Sequence, residues 1–204
     1  MRASILLISY KHEAFMAEAI RAAMAQDYPE IQLVLADDGS PDRTVEILEK
    51  ELKNCPPHFS IVRTHAEKNL GFHANINRGL AACTGDVISL MSGDDVSLPD
   101  RVSKVCKEFA SDPDCMVVCS NWIRIDPDGK QIGTSFKLKD STVFPTSTPN
   151  HDIYSGAPVC GAAGAYRPDA GGARAAGTAR PGSGDGRRNS CTGRYDRPVR
   201  SDRR

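Results

Sequence analysis

An α/β domain with a mostly parallel central sheet is what this 204-residue sequence predicts. Three observations carry that prediction. Short apolar runs at residues 5–9, 31–36, 59–63 and 87–91 alternate with longer stretches of helical periodicity. The runs stop in polar loops, three of which carry Ser, Tyr or paired Asp. The connections between runs are long enough for helical, right-handed crossovers.

Taken in order, residues 5–9 read as a first strand that hands over to Ser9-Tyr10-Lys11-His12. Residues 13–26 are Ala-rich, with Phe15, Ala19 or Ile20, Ala23 and Met24 near helical spacing, and Asp27-Tyr28-Pro29 ends that helix. Residues 31–36 form a second strand, followed by the turn Asp37-Asp38-Gly39-Ser40-Pro41-Asp42. A helix over 44–53 uses Val45, Ile47, Leu48 and Leu52, and Pro56-Pro57 closes it before a strand over 59–63. The next helix runs from about Phe72 to Cys83, with Thr84-Gly85 as a C-cap.

Residues 87–91 are a buried strand stopped by Ser92-Gly93, and Pro99 opens a further helix with Val102, Val105, Cys106 and Phe109 on one face. A strand over 115–121 follows, then a hairpin around residues 126–129. From about 135 the periodicity fades, and the Gly/Ala-rich segment up to Tyr166-Arg167 regains some apolar character.

The net charge of zero conceals two different halves. Residues 168–204 hold nine Arg and four Asp, a net of +5, and lack Leu, Ile, Phe, Met and Trp. Residues 1–167 carry the compensating −5. The tail cannot bury enough apolar surface to offset an ordering entropy of ~1–2 kcal/mol per residue, so disorder is expected there. An RNA-binding arm is disfavoured, because Asp is interspersed and Tyr195 is the tail's only aromatic. No apolar run approaches the ~20 residues of a membrane span, and the N-terminus has no export signal. The seven cysteines show no metal spacing, so a reduced, cytoplasmic protein is expected.

Acids at the carboxyl ends of parallel strands stand where open α/β sheets bind ligands. Asp94-Asp95 directly follows a strand, and hard oxygen ligands there suit Mg2+ or Mn2+ carrying a diphosphate. The same pair can instead cap the next helix and shape a turn. At Asp37-Asp38 a carboxylate could accept a hydrogen bond from a base or ribose, while Gly39 allows a tight turn. Ser9-Tyr10 forms a third ligand-edge junction, and read alone it is an ordinary loop.

In order along the chain, these segments resemble family-2 glycosyltransferases of the GT-A type. The resemblance rests on residues 5–10 with the following helix, Val34-Leu-Ala-Asp-Asp-Gly-Ser40, Asn69-Leu-Gly71 with Asn77 and Gly79, Gly85-Asp86, Asp94-Asp95 and Pro99-Asp-Arg101. It covers about residues 3–167 and implies a Rossmann-like GT-A sandwich. It implies a domain over 1–167 whose acceptor half is incomplete, followed by a disordered tail over 168–204.

The implied reaction moves a sugar from a UDP- or dTDP-linked donor to a hydroxyl of a carbohydrate or lipid-linked acceptor. Polysaccharide or glycolipid assembly, peripheral at the inner membrane face and without nucleic acid, is the implied setting. Asp38 would contact base or ribose with Asp37 beside it, and Ser9 and Tyr10 would line the base pocket. Asp95 would ligate Mn2+ or Mg2+, with Asp94 near the ribose or metal; the dication would offset charge on the departing diphosphate.

Two departures stand out. Ile76 takes a position where many relatives carry Arg, leaving Lys68, Arg78 or Arg101 to compensate. Inverting transfer also needs a base for the acceptor hydroxyl, and Asp169, Asp185, Asp196 and Asp202 lie in the tail without a strand or helix to aim them. The composition break resembles a frame-shifted or misread end, which would leave a donor-binding half that folds at least partly and is catalytically weak or dead. A non-catalytic nucleotide binder is the alternative. A nucleotidyltransferase would show a Gly-rich basic loop after the first strand, which residues 9–13 lack. His73 and Asn75 could face the donor or lie on an ordinary helix surface.

Overall fold

The computed structural model describes residues 1–113, 115–120, 123–126, 129–134 and 164–167. The expected disorder of residues 168–204, and the Asp residues there, lie outside the described residues.

The chain alternates β1 (Ala3–Ser9), α1 (Met16–Met24), β2 (Ile31–Asp37), α2 (Thr44–Leu52), β3 (Phe59–Arg63), α3 (Phe72–Ala82), β4 (Val87–Ser92) and α4 (Arg101–Ser111). Short strands β5 (Val117–Cys119), β6 (Ile123–Ile125), β7 (Gln131–Thr134) and β8 (Gly164–Tyr166) follow. Six strands form one sheet in the order β3-β2-β1-β4-β8-β5, and β6 pairs with β7 as a separate hairpin. The β3-β2-β1-β4 block is parallel throughout; β8 runs antiparallel to both β4 and β5. The sheet is therefore mostly parallel, as the alternation of runs and helices predicts.

Both faces of the central strands are buried, which explains why β1 and β2 read as continuous apolar runs. Alternate residues divide between two cores. Ile5, Leu7, Leu33, Leu35, Val87 and Met91 pack with α1, α2 and α4 on one face. Leu6, Ile8, Val34, Ala36, Ile88 and Leu90 meet Ile76 of α3 on the other. Ile76, the departure from the expected Arg, is thus a core residue.

A polar knot ties the end of α3 to the sheet edge opposite the acid-bearing loops. The buried Gln32 accepts the Ser4 hydroxyl at 2.6 Å and the Thr84 amide at 2.8 Å on Oε1, and its Nε2 donates to Ala82 O at 3.1 Å. Gly85 does not act as the expected helix C-cap: α3 already ends at Ala82, and Gly85 lies against β1. A Cβ there would sit 2.5 Å from the Ser4 amide nitrogen and 2.8 Å from the Ala3 carbonyl carbon. Likewise α4 begins at Arg101, two residues after Pro99.

Among the described cysteines, Cys55, Cys83 and Cys106 are free thiols. Burial pushes the Cys83 thiol up to about 12. Among the described residues no helix is long and apolar enough to cross a membrane.

Gly85→Ala is expected to lower the unfolding free energy by about 1–3 kcal/mol, because the obstructing atoms are β1 backbone and cannot rotate away. The midpoint of urea unfolding measures this, and an unchanged midpoint would show that β1 and β4 separate freely at this end.

Candidate functional site

The carboxyl ends of β1, β2 and β4 open onto one edge of the sheet. From β1 the chain moves outward through β2 to β3, and α3 then returns it to β4 on the other side of β1. The strand order reverses between β1 and β4, which is where such sheets form a ligand crevice.

Asp37 ends β2 and is buried. Its Oδ2 accepts the hydroxyls of Ser9 at 2.8 Å and Ser40 at 2.6 Å, and its Oδ1 accepts the Ser40 amide at 2.8 Å. Asp38 is buried beside it and accepts the Leu70 amide on Oδ1 at 3.0 Å and the Gly71 amide on Oδ2 at 2.8 Å. Gly71 is the residue before α3, so Asp38 sits at the electropositive end of that helix. Such bonds are what makes burial of two adjacent carboxylates tolerable. They also engage the oxygens that would otherwise meet a nucleotide.

Gly39 lets the second and third loops touch. Its φ is +69°, and a Cβ would lie 2.6 Å from the Lys68 carbonyl carbon. The first loop is laced to the second: Lys11, at φ 57°, donates its amide to Ser40 Oγ at 3.0 Å, and the His12 amide donates to Thr44 Oγ1 at 2.8 Å. Ser9 is buried, and Tyr10 is half-buried with the Lys11 ammonium 5.2 Å above its ring.

Asn75 is buried, not facing a donor: its Nδ2 donates to Ala36 O at 2.9 Å and to Ser9 O at 3.4 Å. Arg78 donates to Thr64 O, Asp37 O and Asn75 Oδ1, each within 2.7 Å, so these bonds tie it to the scaffold. Lys68 and His73 are exposed.

The acid turn after β4 is built differently. Asp94 and Asp95 are both exposed. Asp94 accepts the Ser92 hydroxyl, and its Oδ2 lies 4.0 Å from His12 Nε2. The Asp95 carboxyl is held above the usual carboxylate range, first by loss of surrounding water and then by the charge of Asp94; Arg101 and His12 oppose this. Gly93 brings the turn close to β1, since a Cβ there would meet His12 Nδ1 and Met16 Cε at 2.7 Å.

His12 is thus a site residue that sequence reading missed. It lies three positions past the end of β1, and only the reversal of strand order brings it to the acid turn. Among the described residues, no three His, Cys, Asp or Glu side chains gather as a metal cage. The donor set nevertheless fits Mg2+ or Mn2+, which bind through one or two carboxylates and complete their shell with phosphate oxygens and water.

Fold and edge together define a Rossmann-like protein with a GT-A sheet and an acid-bearing edge at its switch point. The chain belongs to Glycosyl transferase family 2, whose family model matches residues 4–169. It is similar to EpsE of Bacillus subtilis, 26% identical over 159 residues, covering 78% of this chain and 54% of EpsE. The solved structure of S. aureus TarS 1-349 in complex with UDP resembles it with a TM-score of 0.61 and 21% identity, over 82% of this chain and 47% of that one. The mannosyltransferase PcManGT from Pyrobaculum calidifontis, in complex with GDP-Man and Mn2+, has a TM-score of 0.55 at 21% identity, over 60% of this chain and 36% of that one. These structural likenesses are likenesses of fold. The chain spans 19% to 54% of the length of the first curated relatives it matches.

Asp38→Ala strands two amides at the head of α3. It is expected to lower stability by about 1–3 kcal/mol and to speed proteolytic cleavage near residues 66–71. Unchanged stability and cleavage would mean that Asp38 does not secure that loop.

Proposed function

We propose that this chain provides the donor-binding half of a nucleotide-sugar-dependent glycosyltransferase. The carrying observation is the exposed Asp94-Asp95 turn at the reversal of strand order, beside a scaffold whose own carboxylates are spoken for. The nucleoside would lie over the ends of β1 and β2, against Ser9 and Tyr10, with Asp37 and Asp38 fixing that floor and Asp38 nearest the base or ribose. Asp94 would face the ribose or the metal. Asp95 would hold Mn2+ or Mg2+, which when bound supplies positive charge to the diphosphate as the sugar departs. A structure of a relative-fold enzyme with GDP-Man and Mn2+ supports this reading of the metal.

Transfer to a hydroxyl of a carbohydrate or lipid-linked acceptor, in polysaccharide or glycolipid synthesis at the inner membrane face, is the reaction we assign to the whole protein. A second reading, metal-dependent nucleotide binding without turnover, draws on a specific observation. Glu13, Asp37, Asp38 and Asp42 all accept hydrogen bonds within the first three loops, so none is free to serve as the acceptor base.

Calorimetric titration of UDP in Mn2+ and in EDTA, beside a donor-hydrolysis assay, tests both readings. Mn2+ is expected to tighten UDP binding in the wild type and to have no effect in Asp95→Asn. Turnover favours the transferase, and binding without turnover favours the binder. Metal-independent UDP binding would remove the assignment of Asp95.

Asp95→Asn also has a stability signature. A carboxyl with a raised folded pKa contributes stability that is present at acid pH and is lost as pH rises through the folded value. The uncharged Asn escapes that loss. The metal-free variant is therefore expected to unfold at an equal or higher urea concentration than wild type at pH 7, with the advantage vanishing toward pH 3. A lower midpoint at pH 7 would contradict the cost assigned to the charged Asp95 carboxylate.

A further inference from the structure

The guanidinium of Arg101 lies behind the acid turn, and each of its three nitrogens reaches a different segment. Nη2 donates to Leu90 O near the end of β4 at 3.0 Å. Nη1 reaches Ser97 Oγ, within the turn, at 3.3 Å. Nε reaches Ser120 Oγ, just after β5, at 3.4 Å. Ser97 Oγ in turn contacts Met91 Sδ at 3.5 Å, closing the turn back onto β4.

Among the described residues Arg101 has no ion-pair partner within 4.0 Å, in contrast to Arg21 with Glu51 and Arg63 with Glu49. Burial pulls its pKa down to about 10, and the charge of Asp95 acts against that shift. A half-buried cation held without a paired anion still carries a desolvation cost. A core staple would be served as well by an apolar side chain, so the retained charge and fork call for another role.

We propose that Arg101 is a positioning residue for the metal-binding turn: its planar fork holds residues 94–98 against β4 and β5, so that Asp95 meets the dication and diphosphate in a fixed place. This rests on the reading of Asp95 given above. Three separate nitrogens are needed to span β4, the turn and β5, and a lysine ammonium offers one point of attachment. The role therefore follows the shape of the side chain as well as its charge.

The test compares UDP affinity in Mn2+ with UDP affinity in EDTA for the 204-residue chain, for Arg101→Lys and for Ser97→Ala. A variant that merely unfolds part of the population weakens both affinities alike and leaves their ratio unchanged. Arg101→Lys is expected to cut the ratio by about tenfold to a hundredfold, the effect typical of residues that orient metal ligands, while affinity in EDTA stays within twofold. Should Arg101→Lys fail to fold, Ser97→Ala decides, with a threefold or larger fall in the ratio expected.

A ratio preserved within twofold in Arg101→Lys, or in Ser97→Ala where that variant decides, overturns the positioning role. If the wild type itself shows no gain from Mn2+, the assignment of Asp95 fails first and takes this role with it.

Discussion

Two adjacent carboxylates buried at the end of one strand are the constraint on which this structure's ligand edge depends. A buried charge must find hydrogen bonds or be expelled. Asp37 finds them in Ser9 and Ser40, and Asp38 in the amides of Leu70 and Gly71. Satisfying those four oxygens draws the loops after β1, β2 and β3 into one body. The left-handed turn at Gly39, the close approach to Lys68 and the buried amide of Asn75 are consequences of that packing.

The acid turn after β4 has the opposite character. Its two carboxylates are exposed, adjacent and only loosely met by His12. Loss of surrounding water and then the charge of Asp94 hold the Asp95 carboxyl above the usual carboxylate range, and two adjacent negative charges favour a cation between them. The fold thus separates two tasks that sequence writes with the same dipeptide. Asp37-Asp38 organises the edge from within, while Asp94-Asp95 leaves its charge exposed. Arg101 stands between the two regimes, half-buried and placed behind the second pair.

Much of this was legible in the residues themselves. Short, largely apolar runs such as 31–36, bounded by turn residues, fit strands buried on both faces, and their alternation with helices implies a parallel sheet. The expected ends were mostly within two or three residues of those observed, with the first helix the looser case. What stayed hidden depends on contacts between distant segments. Strand β8, Gly-Ala-Tyr, has no periodicity of its own and is strand only because β4 and β5 flank it. Gly85 resembles a helix cap until β1 is placed against it. The burial of Asn75 and the engagement of Arg78 follow from which face of α3 meets the sheet, which helical spacing alone leaves open. For Asp37 and Asp38 the type and position were visible in sequence. Which partners their oxygens take was not.

The division between an organising acid pair and a ligand-facing pair can be tested most directly by a crystal structure of the protein soaked with UDP and Mn2+, using the anomalous signal of manganese. The predicted result is one manganese peak within coordination distance of Asp95, with the hydrogen bonds of Asp37 to Ser9 and Ser40 intact. A peak at Asp37 or Asp38, or an Asp37 side chain turned out of its bonds to meet the nucleotide, would contradict it.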